Sequence, residues 1–212
     1  VETKKAFDQV KSCEHLVVMT KDLMGTSPFP EHKTLTQTIG AESEQFEIYP
    51  TSPDDTCSIL YTSGTTGKPK GAELTHFNIF MNSAVAWGLH FPAVDFTKNE
   101  QPTCLITLPL FHTTGQTVQM NSNMYAGNRV VLLPRFDPKA TLEAMVKEKV
   151  NFWVGVPTMY WALLKYVEES GFDVAPIVEN LKVPTSGGAP MPVEVIKRFS
   201  EVFGLRILEG YG

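Results

Sequence analysis

From Pro102 onward, short apolar segments with the character of strands alternate with longer segments of helical period. One apolar segment follows another about every 25 residues, which is typical of strand–helix–strand units. The predicted strands are Pro102–Pro109, Arg129–Leu133, Asn151–Val156, Leu181–Thr185 and Leu205–Glu209. Such units form right-handed parallel crossovers. The pattern therefore predicts an α/β fold, with a mostly parallel, doubly wound sheet or sheets and helices on both faces.

Helix boundaries in this region are marked by caps and stops. Asp137 has the character of an N-cap, with Pro138 at the first helical position, and Gly171 and Gly204 are glycine stops. The predicted helices are Gln116–Tyr125, Asp137–Lys149, Pro157–Ser170 and Pro192–Phe203. The segment Gly171–Glu179 is predicted to be a loop.

The residues before Pro102 give weaker signals. The predicted helices there are Val1–Lys11, Thr34–Ile39 and His76–Trp87. Thr75 caps the third of these, whose predicted buried face consists of Phe77, Phe80, Met81, Ala84 and Val85. The predicted strands are Glu14–Thr20 and Cys57–Leu60, the second of them buried. Connections are predicted at Lys21–Pro30, Ala41–Asp55 and His90–Gln101.

Charge and cysteine content exclude several classes of protein. The 18 basic and 23 acidic residues are spread along the chain and leave a net charge of −5, so no nucleic-acid-binding face is expected. No apolar run reaches the ~18–20 residues of a membrane span, although peripheral membrane contact stays open. Cys13, Cys57 and Cys104 are odd in number and far apart. With no visible signal peptide, they indicate a reducing compartment, and a cytoplasmic location is predicted.

The stretch Tyr61–Gly71 carries the strongest chemical signal. It contains three glycines, several hydroxyl side chains and two lysines directly after an apolar segment. Glycines permit tight turns, and successive backbone N–H groups in such turns bind anions. Because Gly64 and Gly67 are too close together and Pro69 follows Lys68, the stretch does not match the Walker A pattern. A loop that binds a polyphosphate and a glycine-rich loop in solvent are the two interpretations open from composition.

The order of residues in this stretch resembles the signature phosphate loop of the adenylate-forming enzymes. These are the acyl-CoA synthetases, the luciferases and the adenylation domains of peptide synthetases. The resemblance implies that the loop binds the phosphates of ATP and that Lys70 is catalytic. The implied phosphate-binding residues are Thr62, Ser63, Gly64, Thr65, Thr66, Gly67, Lys68 and Lys70.

The segment Pro109–Gly115 resembles a second signature of that family, an aromatic–histidine pair before a glycine-bearing elbow. From the residues alone, His112 could equally pack against a helix start. The resemblance implies that His112 is catalytic and lies between the carboxylate and nucleotide pockets, and that His112, Thr114, Val118 and Gly187 contact the acyl group. Relatives that activate amino acids usually carry an aspartate at the His112 position. An acid without an α-amine is therefore expected.

Two later turns complete the resemblance. Ser186–Pro190 follows a predicted strand, and Glu209–Gly212 follows the last one. Alone, the first could be a turn that needs positive φ, and Tyr211 could be a core aromatic. The family resemblance implies that both border the adenine, through Gly187, Gly188, Ala189, Glu209, Gly210 and Tyr211. No metal ligand is expected in this chain, because the glutamate that holds Mg²⁺ in the family would lie beyond Gly212.

All four segments follow predicted strands, and ligands of parallel sheets sit at the carboxyl ends of strands. They are therefore expected to converge on one site. Relative to the family, residues 1–212 are expected to be an incomplete N-terminal AMP-binding domain without its C-terminal domain, and to show no turnover alone.

The function implied by the resemblance is ATP-dependent activation of a carboxylic acid, followed by transfer to coenzyme A. A medium- or long-chain fatty acid is the first choice of substrate. An aryl acid, a carrier-protein thiol as acceptor and a nucleotide-binding module without catalysis are the alternatives. Six apolar residues could line an acyl tunnel or belong to the core: Trp87, Phe91, Phe96, Val118, Met120 and Met124.

Overall fold

A computed structural model of the chain describes residues 2–22, 24–62, 64, 67–90 and 101–211, apart from the side chain of His90. The described chain forms two compact units, residues 1–50 and residues 51–212. Some sequence predictions fall outside the described residues: those for Ser63, Thr65, Thr66, Phe91, Phe96 and Gly212, and for the connection at 91–100.

The first unit contains two short helices, α1 (Glu2–Gln9) and α2 (Leu35–Ile39). Both were predicted, and the cap of α2 is reciprocal. The Thr34 hydroxyl accepts the Gln37 N–H at 3.2 Å, and the Thr34 N–H donates to the Gln37 side chain at 2.9 Å. The predicted strand Glu14–Thr20 is wrong, because Val18 makes only a single bridge, to Thr34. The chain enters α2 directly after Thr34, so the ladder cannot extend.

The second unit begins with an antiparallel hairpin of β1 (Thr56–Thr62) and β2 (Lys70–Thr75). The prediction that Cys57–Leu60 forms a buried strand is right about the strand and wrong about burial, since Cys57 and Ile59 are exposed. The hairpin is a separate two-stranded sheet. A ribbon of two strands has few neighbours that could cover its side chains.

Helix α3 (His76–His90) follows the hairpin. Thr75 caps it as predicted, because its hydroxyl accepts the Asn78 N–H at 3.1 Å. The predicted buried face is wrong. Among its members Phe77, Phe80, Met81 and Val85 are exposed, whereas Ser83 and Ala86 are buried. Ser83 fits the buried side because its hydroxyl donates to the carbonyl oxygen of Ile79 at 2.7 Å. The buried positions of α3 are therefore small residues, and these four large apolar side chains are exposed.

Five parallel strands form the main sheet. They are β3 (Thr103–Ile106), β4 (Arg129–Leu132), β5 (Phe152–Gly155), β6 (Val183–Ser186) and β7 (Leu208–Glu209), in the order β4-β3-β5-β6-β7. The predicted α/β class and parallel sheet are confirmed. β3 and β5 are buried along their whole length, as expected for strands covered on both faces.

The helices of this region run mainly where they were predicted. They are a π-helical segment (Thr114–Asn121) continued by α4 (Ser122–Tyr125), then α5 (Pro138–Lys147), α6 (Pro157–Ser170), α7 (Ala175–Asn180) and α8 (Val193–Phe203). The loop predicted at Gly171–Glu179 is wrong, because it contains most of α7. Gly171 ends α6 with a φ of 66°, and Asp173 accepts the Ala175 N–H at 3.0 Å. The segment thus joins the predicted glycine stop of α6 to the start of a second, short helix.

Alternate residues of the strands pack on opposite faces of the sheet. Leu105 and Trp153 face the layer formed by α5, α6, α7 and α8, where the larger core lies. Cys104 and Phe152 face the other side, against Trp87 of α3 and the partly buried Met120 of the π-helical segment. The sheet is therefore doubly wound, as predicted.

The winding direction reverses at β3. The chain leaves β3 toward β4 on one side and then returns to place β5 on the other side. In open α/β sheets, the crevice outside the carboxyl ends of the strands at such a reversal is the usual ligand site. Among the described residues, no helix is both long enough and apolar enough to cross a membrane.

Candidate functional site

Neighbouring strands at the carboxyl edge of the sheet lead directly into the predicted site segments. β3 is followed by Thr107 and the His112 segment, and β6 is followed by Gly187. β7 is followed by Gly210. The residue after β5 is Val156, and a Cβ on Gly188 would lie 3.8 Å from its side chain. The sheet thus brings the Ser186–Pro190 turn beside the chain that leaves β5.

The turns after β6 and β7 touch each other. The Gly210 N–H donates to the carbonyl oxygen of Ser186 at 2.8 Å. A Cβ on Gly187 would stand 3.2 Å from the carbonyl oxygen of Gly210, so the close approach favours glycine there. The Glu209 carboxylate accepts the Met191 N–H at 3.1 Å and ties the end of the glycine turn to β7. The structure therefore gathers the predicted adenine-binding residues Gly187, Gly188, Glu209 and Gly210.

The side of this turn that faces away from the core is open. Ala189 is exposed and Tyr211 is fully exposed. The Ser186 hydroxyl is buried and has no hydrogen-bond partner in the described structure. A buried hydroxyl without a partner is costly, so such a group is a candidate to bond a ligand.

His112 lies at the bend between β3 and the π-helical segment. Its backbone N–H donates to the carbonyl oxygen of Pro109 at 3.1 Å. Its Nδ1 accepts the Thr114 N–H at 3.2 Å. A neutral imidazole whose Nδ1 accepts must carry its proton on Nε2. The exposed ring therefore presents an Nε2–H donor away from the backbone.

The predicted acyl contacts are only partly gathered. Thr114 and Val118 both lie in the π-helical segment and are half-buried, next to His112 along the chain. Gly187 lies at the end of β6, with β5 between it and β3. A π-helical turn is rare and occurs often at functional sites. The prediction that Val118 and Gly187 touch one acyl group stays a prediction.

The predicted phosphate loop connects the two strands of the hairpin, outside the parallel sheet. Thr62 and Lys70 face each other in the ladder and close the loop. Gly64 has a φ of 64°, and a Cβ there would lie 2.6 Å from the carbonyl oxygen of Lys68, so the turn requires glycine. Lys68 and Lys70 are exposed. No hydrogen bond or ion pair among the described residues joins these lysines to the His112 or Gly187 segments.

Of the six apolar tunnel candidates, two of those described join the core. Trp87 packs edge-to-face on Phe152 with ring centroids 5.9 Å apart. Met120 packs against the same cluster, whereas Met124 is exposed. Within the described ranges, no group of three or more His, Cys, Asp and Glu side chains could hold a metal ion.

Sequence reasoning missed several buried polar residues behind the turns. Trp153 donates from its indole Nε1 to the Thr107 hydroxyl at 3.1 Å, and Tyr160 donates to the carbonyl oxygen of Thr185 at 2.9 Å. Trp153 and Tyr160 are fully buried. Burial raises the pKa of the Tyr160 phenol well above its usual value, so the phenol stays a donor. An indole or phenol in a core segment is the signal that could have drawn attention to them, because such groups need a partner when buried.

The chain matches the family model for AMP-binding enzymes over residues 1–212. It is 37% identical to a long-chain-fatty-acid–CoA ligase of Bacillus subtilis, an alignment that covers 81% of this chain and 29% of the relative. It is 35% identical to a feruloyl-CoA synthase of Amycolatopsis, covering 77% of this chain and 31% of the relative. The crystal structure of ATP-bound MatB from Rhodopseudomonas palustris is similar with a TM-score of 0.71 and 31% identity, covering 86% of this chain and 34% of that one.

The chain therefore belongs to the AMP-binding enzyme family, and the predicted resemblance is confirmed. It spans about a third of the length of these relatives, 29% and 31% of the two curated proteins.

Proposed function

We propose that this chain is part of an AMP-forming acid–thiol ligase. In the first step, a carboxylate oxygen of the acid attacks the α-phosphorus of ATP, and pyrophosphate leaves. In the second step, the thiol sulfur of coenzyme A attacks the acyl carbon of the adenylate, and AMP leaves. The observation that carries the proposal is the glycine turn after β6, which lies against the end of β7 at the carboxyl edge of a doubly wound sheet.

The glycine turn suits a flat base. Gly187 and Gly188 place no side chain between a ligand and the backbone, and the Gly210 end of β7 lies alongside. The exposed ring of Tyr211 is available to stack on the adenine, an arrangement worth about 1–3 kcal/mol per base.

The hairpin loop supplies charge for the phosphates. We assign Lys68 and Lys70 to the phosphates, together with the backbone N–H of Gly64. Charge grows on the pyrophosphate as it leaves, and fixed cations stabilise that charge. This assignment requires the hairpin loop to approach the carboxyl edge of the sheet when ATP is bound.

His112 is assigned to the reacting carboxylate. Since its Nδ1 is occupied by the Thr114 N–H, Nε2–H is the atom that can donate to a carboxylate or phosphate oxygen. The substrate carboxylate is itself the nucleophile, so the protein needs no covalent intermediate and acts by alignment. Thr114 and Val118 follow on the π-helical segment and would contact the start of the acyl chain.

A medium- or long-chain fatty acid is the preferred substrate in this proposal. Support comes from the 37% identity to the Bacillus subtilis protein whose name specifies long-chain fatty acids. An aryl acid is the second candidate, favoured by the nearly equal identity to a feruloyl-CoA synthase. A cytoplasmic location also stays a proposal, supported by three cysteines that form no disulfide.

The test is pyrophosphate release by the full-length protein with ATP and a panel of acids. The panel contains fatty acids of increasing length, aryl acids, short acids and a no-acid blank. Release above the blank with at least one carboxylate is expected, with the highest kcat/KM for a fatty acid. Nucleotide binding without release for any carboxylate would show a binding module and refute the proposal. Addition of coenzyme A should then yield the acyl-thioester by mass spectrometry, and persistent acyl-adenylate would indicate a carrier-protein thiol instead.

A further inference from the structure

One buried aromatic pair lies in the core next to the carboxyl edge of the sheet and bonds to two of its strand ends. Trp153 of β5 and Tyr160 of α6 lie with ring centroids 4.7 Å apart and planes tilted by 54°. Both are fully buried, and Tyr160 also packs edge-to-face on Phe199 at 5.2 Å. Neither residue belongs to the sequence signatures assigned to the site.

Each ring of the pair carries one polar tether, and the two tethers run to different strand ends. Trp153 Nε1 donates to the hydroxyl of Thr107, the first residue after β3. The Tyr160 hydroxyl donates to the carbonyl oxygen of Thr185, in β6 next to Ser186. The tethers therefore reach the bases of the His112 segment and of the glycine turn. The proposed function assigns the His112 segment to the substrate carboxylate and the glycine turn to the adenine.

The indole has little freedom to move. A Cβ on Gly155 would lie 2.7 Å from its ring, so the ring lies directly over that glycine. The Thr107 hydroxyl is also fixed, because it accepts from Trp153 and contacts the sulfur of Met159 at 4.0 Å. Thr107 itself is 5% exposed, so water cannot readily replace the indole. Buried bonds of this kind are costly to leave unmade.

We propose that Trp153 and Tyr160 are positioning residues, which set the distance between the His112 segment and the Gly187 turn through Thr107 and Thr185. Neither touches substrate in this proposal. The catalytic consequence rests on the proposed function. The local effect on the two turns does not, so the positioning role and the proposed function can be tested separately.

Three variants test the tethers in the full-length protein. Thr107→Val removes the acceptor with almost no change of shape, and Thr107→Ser is its matched control because it keeps the hydroxyl. Tyr160→Phe removes the second tether and serves if Thr107→Val does not fold. The local readout is hydrogen exchange at two amides, His112 N–H, bonded to Pro109, and Gly210 N–H, bonded to Ser186.

Thr107→Val should speed exchange at His112, and Tyr160→Phe should speed it at Gly210, each more than in the rest of the sheet. The kcat for pyrophosphate release should fall about tenfold, with smaller changes in KM, because small misplacements of reacting groups are costly. Thr107→Ser should keep both the exchange rates and the kcat of the unmodified protein. A uniform rise in exchange over the whole sheet, or no change at these amides, would overturn the positioning role. If the unmodified protein releases no pyrophosphate with any acid, the proposed function fails, and the exchange data alone decide this inference.

Discussion

The backbone N–H of Gly210 donates a hydrogen bond to the carbonyl oxygen of Ser186 at 2.8 Å, which fastens the end of β7 to the end of β6. This bond brings Gly187 close to Gly210. A Cβ on Gly187 would stand 3.2 Å from the carbonyl oxygen of Gly210. The predicted adenine surface therefore depends on backbone contact between two strand ends.

Gly187→Ala should weaken nucleotide binding more than it weakens the fold. The added methyl crowds Gly210, and because β7 is short its end can shift, so we expect a loss near the lower end of the usual cost of overpacking, about 1 kcal/mol, in the free energy of unfolding. The shift would distort the surface for the base and raise the ATP dissociation constant about tenfold, equal to about 1.4 kcal/mol. Calorimetric titration with ATP and thermal unfolding measure the two effects.

Gly88→Ala is the matched control for that substitution. Gly88 lies in α3, and a Cβ there meets nothing within 4 Å. Alanine is favoured over glycine inside a helix by about 1 kcal/mol, so this variant should unfold at higher temperature with unchanged ATP affinity. Equal ATP affinity in both variants would remove Gly187 from the nucleotide site.

Lys70→Ala should slow the first half-reaction of the full-length protein. Loss of one fixed charge at the leaving pyrophosphate is expected to cost about 100-fold in rate, while acid binding changes little. The measurement is single-turnover formation of acyl-adenylate. Lys197→Ala, which removes an exposed lysine of α8, is the control and should behave like the unmodified protein. A normal rate in Lys70→Ala would exclude Lys70 from catalysis.

Asp137→Ala should destabilise the second unit through α5. The Asp137 carboxylate accepts the Ala140 N–H at 2.8 Å, and loss of such a cap costs about 1 kcal/mol. Asp137→Asn keeps an acceptor at the same position and should retain most of that stability. Urea unfolding of the three proteins gives the comparison. If the Ala and Asn variants lose the same amount, capping is not the cause.

Buried Cys104 should make the fold sensitive to high pH. Burial raises the pKa of its thiol from 9.0 to about 12. The unfolded chain therefore loses this proton more readily than the folded one. Titration of the thiol leaves stability unchanged below pH 9 and lowers it progressively as the pH rises toward 12. The free energy of unfolding should fall by up to about 1.4 kcal/mol per pH unit in this window.

Comparison with Cys104→Ala isolates that contribution, since Tyr160 adds a loss of the same sign at higher pH. Between pH 9 and 10.5, stability of the unmodified protein should fall more steeply than that of Cys104→Ala. Cys13→Ala, at an exposed position, should follow the unmodified protein. Parallel curves for all three proteins would show that the Cys104 thiol is not the titrating group.

The sequence predicts well those features that are decided by local hydrogen bonds. The caps at Thr75 and Asp137 and the stops at Gly171 and Gly204 lie where they were expected, because each requires only a few neighbouring residues. Burial in the first half was predicted less well. Whether Ile59 or Phe77 is covered depends on which elements pack over them, and their own periodicity does not contain that information.

In the candidate site, the meeting of strand ends could be predicted, whereas contacts that depend on the order of the strands could not. The Ser186–Pro190 turn and the Gly210 end could be expected to meet, since parallel strands share a carboxyl edge. The tether from Trp153 to Thr107 spans 46 residues, and that from Tyr160 to Thr185 spans 25. These contacts depend on β5 lying between β3 and β6. Strand order is a property of the whole sheet, so local pattern could not reveal them.

The most direct test of the account follows the phosphorus products of ATP by ³¹P nuclear magnetic resonance, with the full-length protein and a fatty acid. The account predicts pyrophosphate and an acyl-adenylate in equal amounts, and conversion of the adenylate to AMP when coenzyme A is added. Formation of ADP and orthophosphate, or ATP cleavage that is independent of any carboxylic acid, would contradict it.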